Sequence, residues 1–168
     1  PCDDGKFIPA SGTLIIVPSN LYDQWLSEIA KFVNNGKPLR GRLKNGWSPE
    51  DCPMKILALA DVRHLKAAMA VDVAKADVVL CTYRLLYSQH DSSRRHQVAS
   101  QPPDACLGIV KTTERLLQGT AAVPHFSNPG EKKVSCWKEL GFPVLEQFFW
   151  ERVVFDEFHE LECLHSTQ

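Results

Sequence analysis

Phe149-Trp150-Glu151-Arg152-Val153-Val154-Phe155-Asp156-Glu157-Phe158-His159 is the stretch on which the fold turns. Val153, Val154 and Phe155 form an unbroken β-branched and aromatic run, the composition of a strand buried on both faces of a sheet. Asp156 and Glu157 follow at once, and His159 one residue later. An open α/β sheet binds its ligand in the crevice beyond the carboxyl ends of parallel strands, so acidic residues at such an end mark a site. Asp-Glu-x-His there also reads as a nucleoside-triphosphatase motif: Asp156 holds Mg²⁺ through water and Glu157 polarises the attacking water. The plain alternative is a pair of solvated carboxylates at a strand end. The tetrapeptide alone does not separate the two.

Two other stretches end in the same way. Thr13-Leu14-Ile15-Ile16-Val17 is a continuous apolar strand stopped by Pro18, which cannot donate to a ladder. Ser19 or Asn20 is the expected N-cap of a following helix, with Asp23 in its first turn and Leu21, Trp25, Ile29 and Phe32 at helical spacing. Asn34-Asn35-Gly36 ends it, which makes a β-turn-α unit and points to a parallel sheet. Met54 to Leu59 reads as a second strand and Val62 to Lys75 as a second helix. Asp77 leads into Val78-Val79-Leu80-Cys81, a third buried strand that runs out in Thr82-Tyr83. In a parallel sheet, Pro18-Ser19-Asn20, Thr82-Tyr83-Arg84 and Asp156-Glu157 all converge on one edge.

Bulk properties narrow the class. With 168 residues, 44% of them hydrophobic and 23% charged, the chain suits one globular domain with a substantial core. A formal net charge of −1 argues against a globally basic nucleic-acid binder, although Lys37, Arg40, Arg42 and Lys44 could form a local patch. The plainer reading of that segment is a solvated loop. No apolar run approaches the ~18–20 residues needed to cross a bilayer. The six cysteines are scattered with no Cys-x-x-Cys pair, and read as reduced thiols. Pro1 to Gly12 reads as loop. Residues 88–143, with Pro102-Pro103 and Asn128-Pro129-Gly130, read as an insertion that is partly disordered, with a helix near Leu107 to Leu117. A chain that opens on Pro1 and stops just past its most motif-like stretch reads as a piece of a longer protein.

Three blocks match one family in order. Thr13-Leu14-Ile15-Ile16-Val17-Pro18-x-x-Leu21-x-x-Gln24-Trp25-x-x-Glu28-Ile29-x-Lys31-Phe32 resembles motif Ia of the Swi/Snf-related ATPases of helicase superfamily two. Asp77-Val78-Val79-Leu80-x-Thr82-Tyr83-x-x-Leu86 resembles the strand-plus-Thr-Tyr motif of the same family, and Trp150-x-Arg152-Val153-Val154-x-Asp156-Glu157-x-His159 its motif II, of DExH type. The resemblance implies an α/β fold: a RecA-like parallel sheet with flanking helices, the first lobe of a DNA-stimulated ATPase, incomplete at both ends. It implies ATP and Mg²⁺ as cofactors. Asp156 is then the Mg²⁺-associated acid, Glu157 the water-activating base, and His159 the link from the nucleotide to later motifs. Pro18, Ser19, Thr82 and Tyr83 fall where relatives meet the nucleic-acid backbone, which suits a motor that must pass over any sequence. Trp25 reads as core rather than as a base-stacking platform. For Thr82 and Tyr83 the competing roles are a helix cap and a packing aromatic.

The departures count too. Phe158 stands where relatives usually carry Ala. Gly5-Lys6-Phe7 and Gly36-Lys37-Pro38 lack the earlier Gly and the following hydroxyl residue of a phosphate-gripping loop. By the resemblance that loop precedes Pro1, and a second lobe follows Gln168, so this segment alone should not hydrolyse ATP. The expectation is a partial helicase ATP-binding domain over 1–168, from a nuclear DNA translocase in chromatin remodelling or DNA repair. Its partners would be double-stranded DNA, nucleosomes and the rest of its parent chain. The rival is a non-catalytic relic that keeps the fold and weak DNA or protein contacts. A zinc hydrolase is disfavoured: His159 and His165 are six residues apart, not the four that put two ligands on one helical face.

Overall fold

The computed structural model describes residues 5–99, 105–125 and 132–157. Its centre is a four-stranded sheet of β1 (Ile8–Val17), β2 (Ile56–Leu59), β3 (Val78–Thr82) and β6 (Phe148–Phe155), in the order β2-β3-β1-β6. Every pairing is parallel. Helices flank it: α1 (Tyr22–Val33), α2 (Val62–Lys66), α3 (Ala70–Ala74), α4 (Tyr83–Leu86), α5 (Gln89–Ala99) and α6 (Ala105–Leu117). A two-residue pair, β4 (Val123–Pro124) and β5 (Lys133–Val134), lies beside them. This is the α/β, RecA-like arrangement that the sequence leads one to expect.

The alternation of strand side chains builds two cores. Ile15, Val17, Ile56, Ala58 and Leu80 face Tyr22, Leu26 and Ala30 of α1. Leu14, Ile16, Leu57, Leu59, Val79 and Cys81 face the other way, against Ala70 and Val73 of α3, Val98 of α5, and Ile109 and Leu116 of α6. Registers of Val17 with Thr82, Leu59 with Cys81 and Ile16 with Phe155 align the four carboxyl ends at one edge of the sheet.

Several elements differ from the sequence reading. β1 begins at Ile8, inside the stretch expected as loop. Ile8 to Ala10 pair with β6 alone, because pairing with β3 starts only at Thr13, so Pro9 has one ladder to satisfy rather than two. The register then shifts between Ala10 and Thr13. Gly12 sits at that shift, where a Cβ would come within 2.1 Å of the Ala76 carbonyl oxygen. Helix α1 buries Tyr22, Leu26 and Ala30 and leaves Phe32 83% exposed, a stripe rotated from the expected one. Its N-cap is Leu21, so neither Ser19 nor Asn20 caps it.

The expected helix over 62–75 breaks at Met69, which is extended. The freed backbone pairs with the 140–142 segment: Ala70 N–H donates to Leu140 O at 2.8 Å and Phe142 N–H to Ala68 O at 3.0 Å. Within 88–143, the described residues form α5, α6, β4 and β5, and Val98, Ala99, Ile109 and Leu116 join the core. Residues 100–104 and 126–131 lie outside the described residues. Arg94, 0% exposed, pins this region, donating to the carbonyl oxygens of Pro124, His125, Gly141 and Phe142. Finally, β6 is not buried on both faces. It stands at the sheet's edge, with Val153 42% and Phe155 47% exposed.

Candidate functional site

Asp156 is the first residue past β6, and three elements hold it. Its backbone N–H donates to Ile16 O of β1 at 3.0 Å. Its carbonyl oxygen accepts from the Tyr83 hydroxyl at 2.8 Å. Its Oδ2 accepts from the Trp25 indole Nε1–H at 2.6 Å, the short end for a bond to an ionised acceptor. Glu157 follows at φ +49°, an exposed non-glycine residue in the left-handed region. Such a backbone costs on the order of 1–3 kcal/mol and clusters at functional sites. The chain thus turns sharply as it leaves the sheet and sets the two carboxylates apart: Asp156 half-buried and fixed, Glu157 in solvent.

Beside this hub a cleft of about 540 Å³ opens over the ends of β1, β2 and β3. Ser19, Tyr22 and Asp23 line one side, Asp61 and Val62 another, and Thr82, Arg84 and Ser88 a third. Its acids are already paired. Asp23 meets Arg40 at 3.0 Å. Asp61 takes hydrogen bonds from the Arg63 guanidinium and backbone N–H, which hold its carboxyl down at about 2. Arg84 is exposed and makes no ion pair among the described residues. The Tyr22 hydroxyl is buried without a partner among them, and burial raises its pKa, so it stays a donor. No side chain caps α1, whose first-turn residues Tyr22 and Asp23 line this cleft. One available cation, hydroxyl groups and helix amides make a surface for an anion such as a phosphodiester.

The residues singled out in the sequence fall into three groups. Asp156 and Tyr83 are joined directly. Ser19, exposed, and Thr82, 5% exposed, line the cleft. Thr82 also caps α4, its Oγ1 accepting from Leu85 N–H at 3.2 Å. Pro18 is buried, and Tyr83 is 3% exposed, so what these two offer is packing and, for Tyr83, the bond to Asp156. His159 lies outside the described residues, as do Phe158, Cys163 and His165. The basic loop is partly neutralised: Arg42 and Lys37 both reach Asp51 and Arg40 reaches Asp23, while Lys44 stays exposed. Trp25 does pack against the core, as the sequence suggests, but its bond to Asp156 was not legible there. The available signal was its indole N–H, a donor that seeks a partner wherever the ring is buried.

The model of the SNF2-related domain matches residues 6–168. The chain belongs to the SNF2-related domain family. No curated protein matches it. The SNF2-related family is one of helicase-like ATPases, for which ATP, magnesium and DNA are the usual ligands. This SNF2-related chain has side chains that fit magnesium. Asp156 keeps Oδ1 clear of hydrogen bonds among the described residues, and Glu157 stands next to it. Magnesium takes one or two carboxylates, completing its shell with water and phosphate oxygens.

Proposed function

We propose that this chain is the acid-bearing part of a DNA-dependent ATPase, working in a longer nuclear protein as an ATP-driven translocase of chromatin remodelling or DNA repair. The observation that carries the reading is the convergence on Asp156. Residues from the three separate blocks, Trp25, Tyr83 and Asp156, meet within hydrogen-bond distance. ATP supplies the phosphoryl group and magnesium its charge neutralisation when both are bound. Asp156 offers Oδ1 to the metal through water, while Trp25 and Tyr83 fix its orientation. Glu157, exposed on its sharp turn, accepts the proton of the attacking water. Ser19 and Thr82, at the strand ends, take backbone phosphates of double-stranded DNA, free or on a nucleosome. His159 passes the state of the nucleotide to the later motifs.

On this reading 1–168 is a partial ATP-binding domain and 88–143 an insertion within it. The triphosphate grip and the second lobe come from other parts of the parent chain. The test is ATP turnover by the full-length protein with and without duplex DNA, beside a Glu157→Gln variant. Turnover should rise with DNA and fall by at least about 10²-fold in the variant, while DNA affinity holds. A full-length protein without DNA-stimulated turnover would instead be a relic that kept the fold.

A further inference from the structure

Trp25 and Asp156 are 131 residues apart, yet their bond of 2.6 Å is among the shortest between the described residues. The half-buried ring already packs against the core cluster that contains Leu26 and Ala30, and packing alone does not call for such a bond. The donor atom therefore adds something that packing does not. It occupies Oδ2, and so decides which oxygen of Asp156 remains for other work. Tyr83 holds the same residue by its main chain, at 2.8 Å.

Trp25 and Tyr83 also share their surroundings. Trp25 lies in the first turn of α1, its N–H bonded to Leu21 O at 2.9 Å, directly after Ser19, Tyr22 and Asp23 of the cleft wall. Tyr83 stands between Thr82 and Arg84 of the same wall. Tyr22 and Trp25 are three residues apart in the same turn of α1, about 4.5 Å of rise, so the indole rides on the segment that walls the cleft. A short, directional bond loses strength steeply when stretched or tilted.

We propose that Trp25 is a positioning residue. A backbone phosphate of duplex DNA seated against Ser19, Thr82 and Arg84 shifts the first turn of α1, loosens the Trp25–Asp156 bond and reorients the Asp156 carboxylate. Nucleic-acid occupancy is thereby reported to the acid through one hydrogen bond. This rests on the reading of the cleft as a DNA site.

The experiment is NMR of the indole N–H groups of the chain, which has four tryptophans, during titration with a short blunt-ended DNA duplex. Loss of one signal in Trp25→Phe assigns Trp25, and circular dichroism checks that this aromatic but smaller replacement folds. Asp156→Asn in the free protein should move the Trp25 signal upfield, because a charged acceptor is lost. DNA should move it in the same direction while the Trp47 and Trp137 signals stay in place. In the full-length protein, Trp25→Phe should lower the stimulation of turnover by DNA without changing DNA affinity. A Trp25 signal unmoved by bound DNA, or by Asp156→Asn, overturns the inference and leaves the cleft reading intact. Absence of DNA binding by fluorescence anisotropy overturns both.

Discussion

Asp91 is a carboxylate in an unfavourable place. It is 1% exposed in α5, with the Arg95 guanidinium 2.8 Å from its Oδ2 but without hydrogen-bond alignment, and Glu146 and Cys81 nearby. Burial, with some help from Glu146, pushes its pKa up to about 7 in spite of Arg95. A folded pKa above the unfolded one means that the native state holds the proton longer. Stability from this group is therefore complete below about pH 4 and is lost as pH rises through about 7. Asp91→Asn should remove that slope, worth roughly 4 kcal/mol at most between the two limits. Urea unfolding at about pH 5 and about pH 8 checks it: the native chain should be more stable at the lower pH, and the variant's difference should be markedly smaller. An equal pH dependence in both proteins would refute the assignment. The same scale shows what of the site was legible. Asp156 and Glu157 declare themselves by type and adjacency after an apolar run. The Trp25 bond does not, since a contact across 131 residues leaves no local pattern.

At the scale of elements, legibility followed the period of the apolar residues. Thr13–Val17 and Val78–Cys81 read as strands because continuous apolar, largely β-branched runs suit a sheet covered on both faces. The helix over 62–75 was read too long because Ala-rich sequence favours helix through Met69. Tertiary hydrogen bonds to Leu140 and from Phe142 outweigh that propensity. Likewise β1 reaches back to Ile8 only because β6 lies beside it, which no local rule encodes. Edge placement of β6 was hidden for the same reason: Val153 and Phe155 have the composition of a covered strand, and only the strand order reveals otherwise. The α5–α6 contact offers a test. Gly108 of α6 lies so close to α5 that an added Cβ would stand 2.6 Å from the Ala99 carbonyl oxygen and 2.9 Å from its Cβ. Elsewhere in a helix Gly→Ala gains about 1 kcal/mol. Here backbone is the obstacle, so Gly108→Ala should instead destabilise by about 1–3 kcal/mol, read as a lower urea midpoint. A midpoint raised by the substitution would show that the two helices separate easily.

For the whole molecule the decisive fact is an asymmetry in the sheet. β2 and β6 are both edges, but β2 is four residues long and its side chains are buried, whereas β6 runs for eight and shows Val153 and Phe155 to solvent. Among the described residues nothing pairs with the outer side of β6. Past the exposed charges of Glu151 and Arg152, the C-terminal half of this edge sets exposed Val153 and Phe155 beside outer N–H and C=O groups, which together invite a second strand. The 168-residue chain by itself should therefore self-associate as concentration rises. A charge placed on the edge strand is the usual remedy, because an incoming strand would have to bury it. Val153 pairs in register with Leu14 on the face that includes Ile16, and at 42% exposure a lysine there can reach water along its own stem. Val153→Lys should cost less than about 1 kcal/mol of stability and suppress association, as measured by sedimentation velocity over a concentration series. If the native chain stays monomeric throughout, the edge is not sticky. If native and variant chains associate alike, the contact lies on another surface and β6 has no part in it.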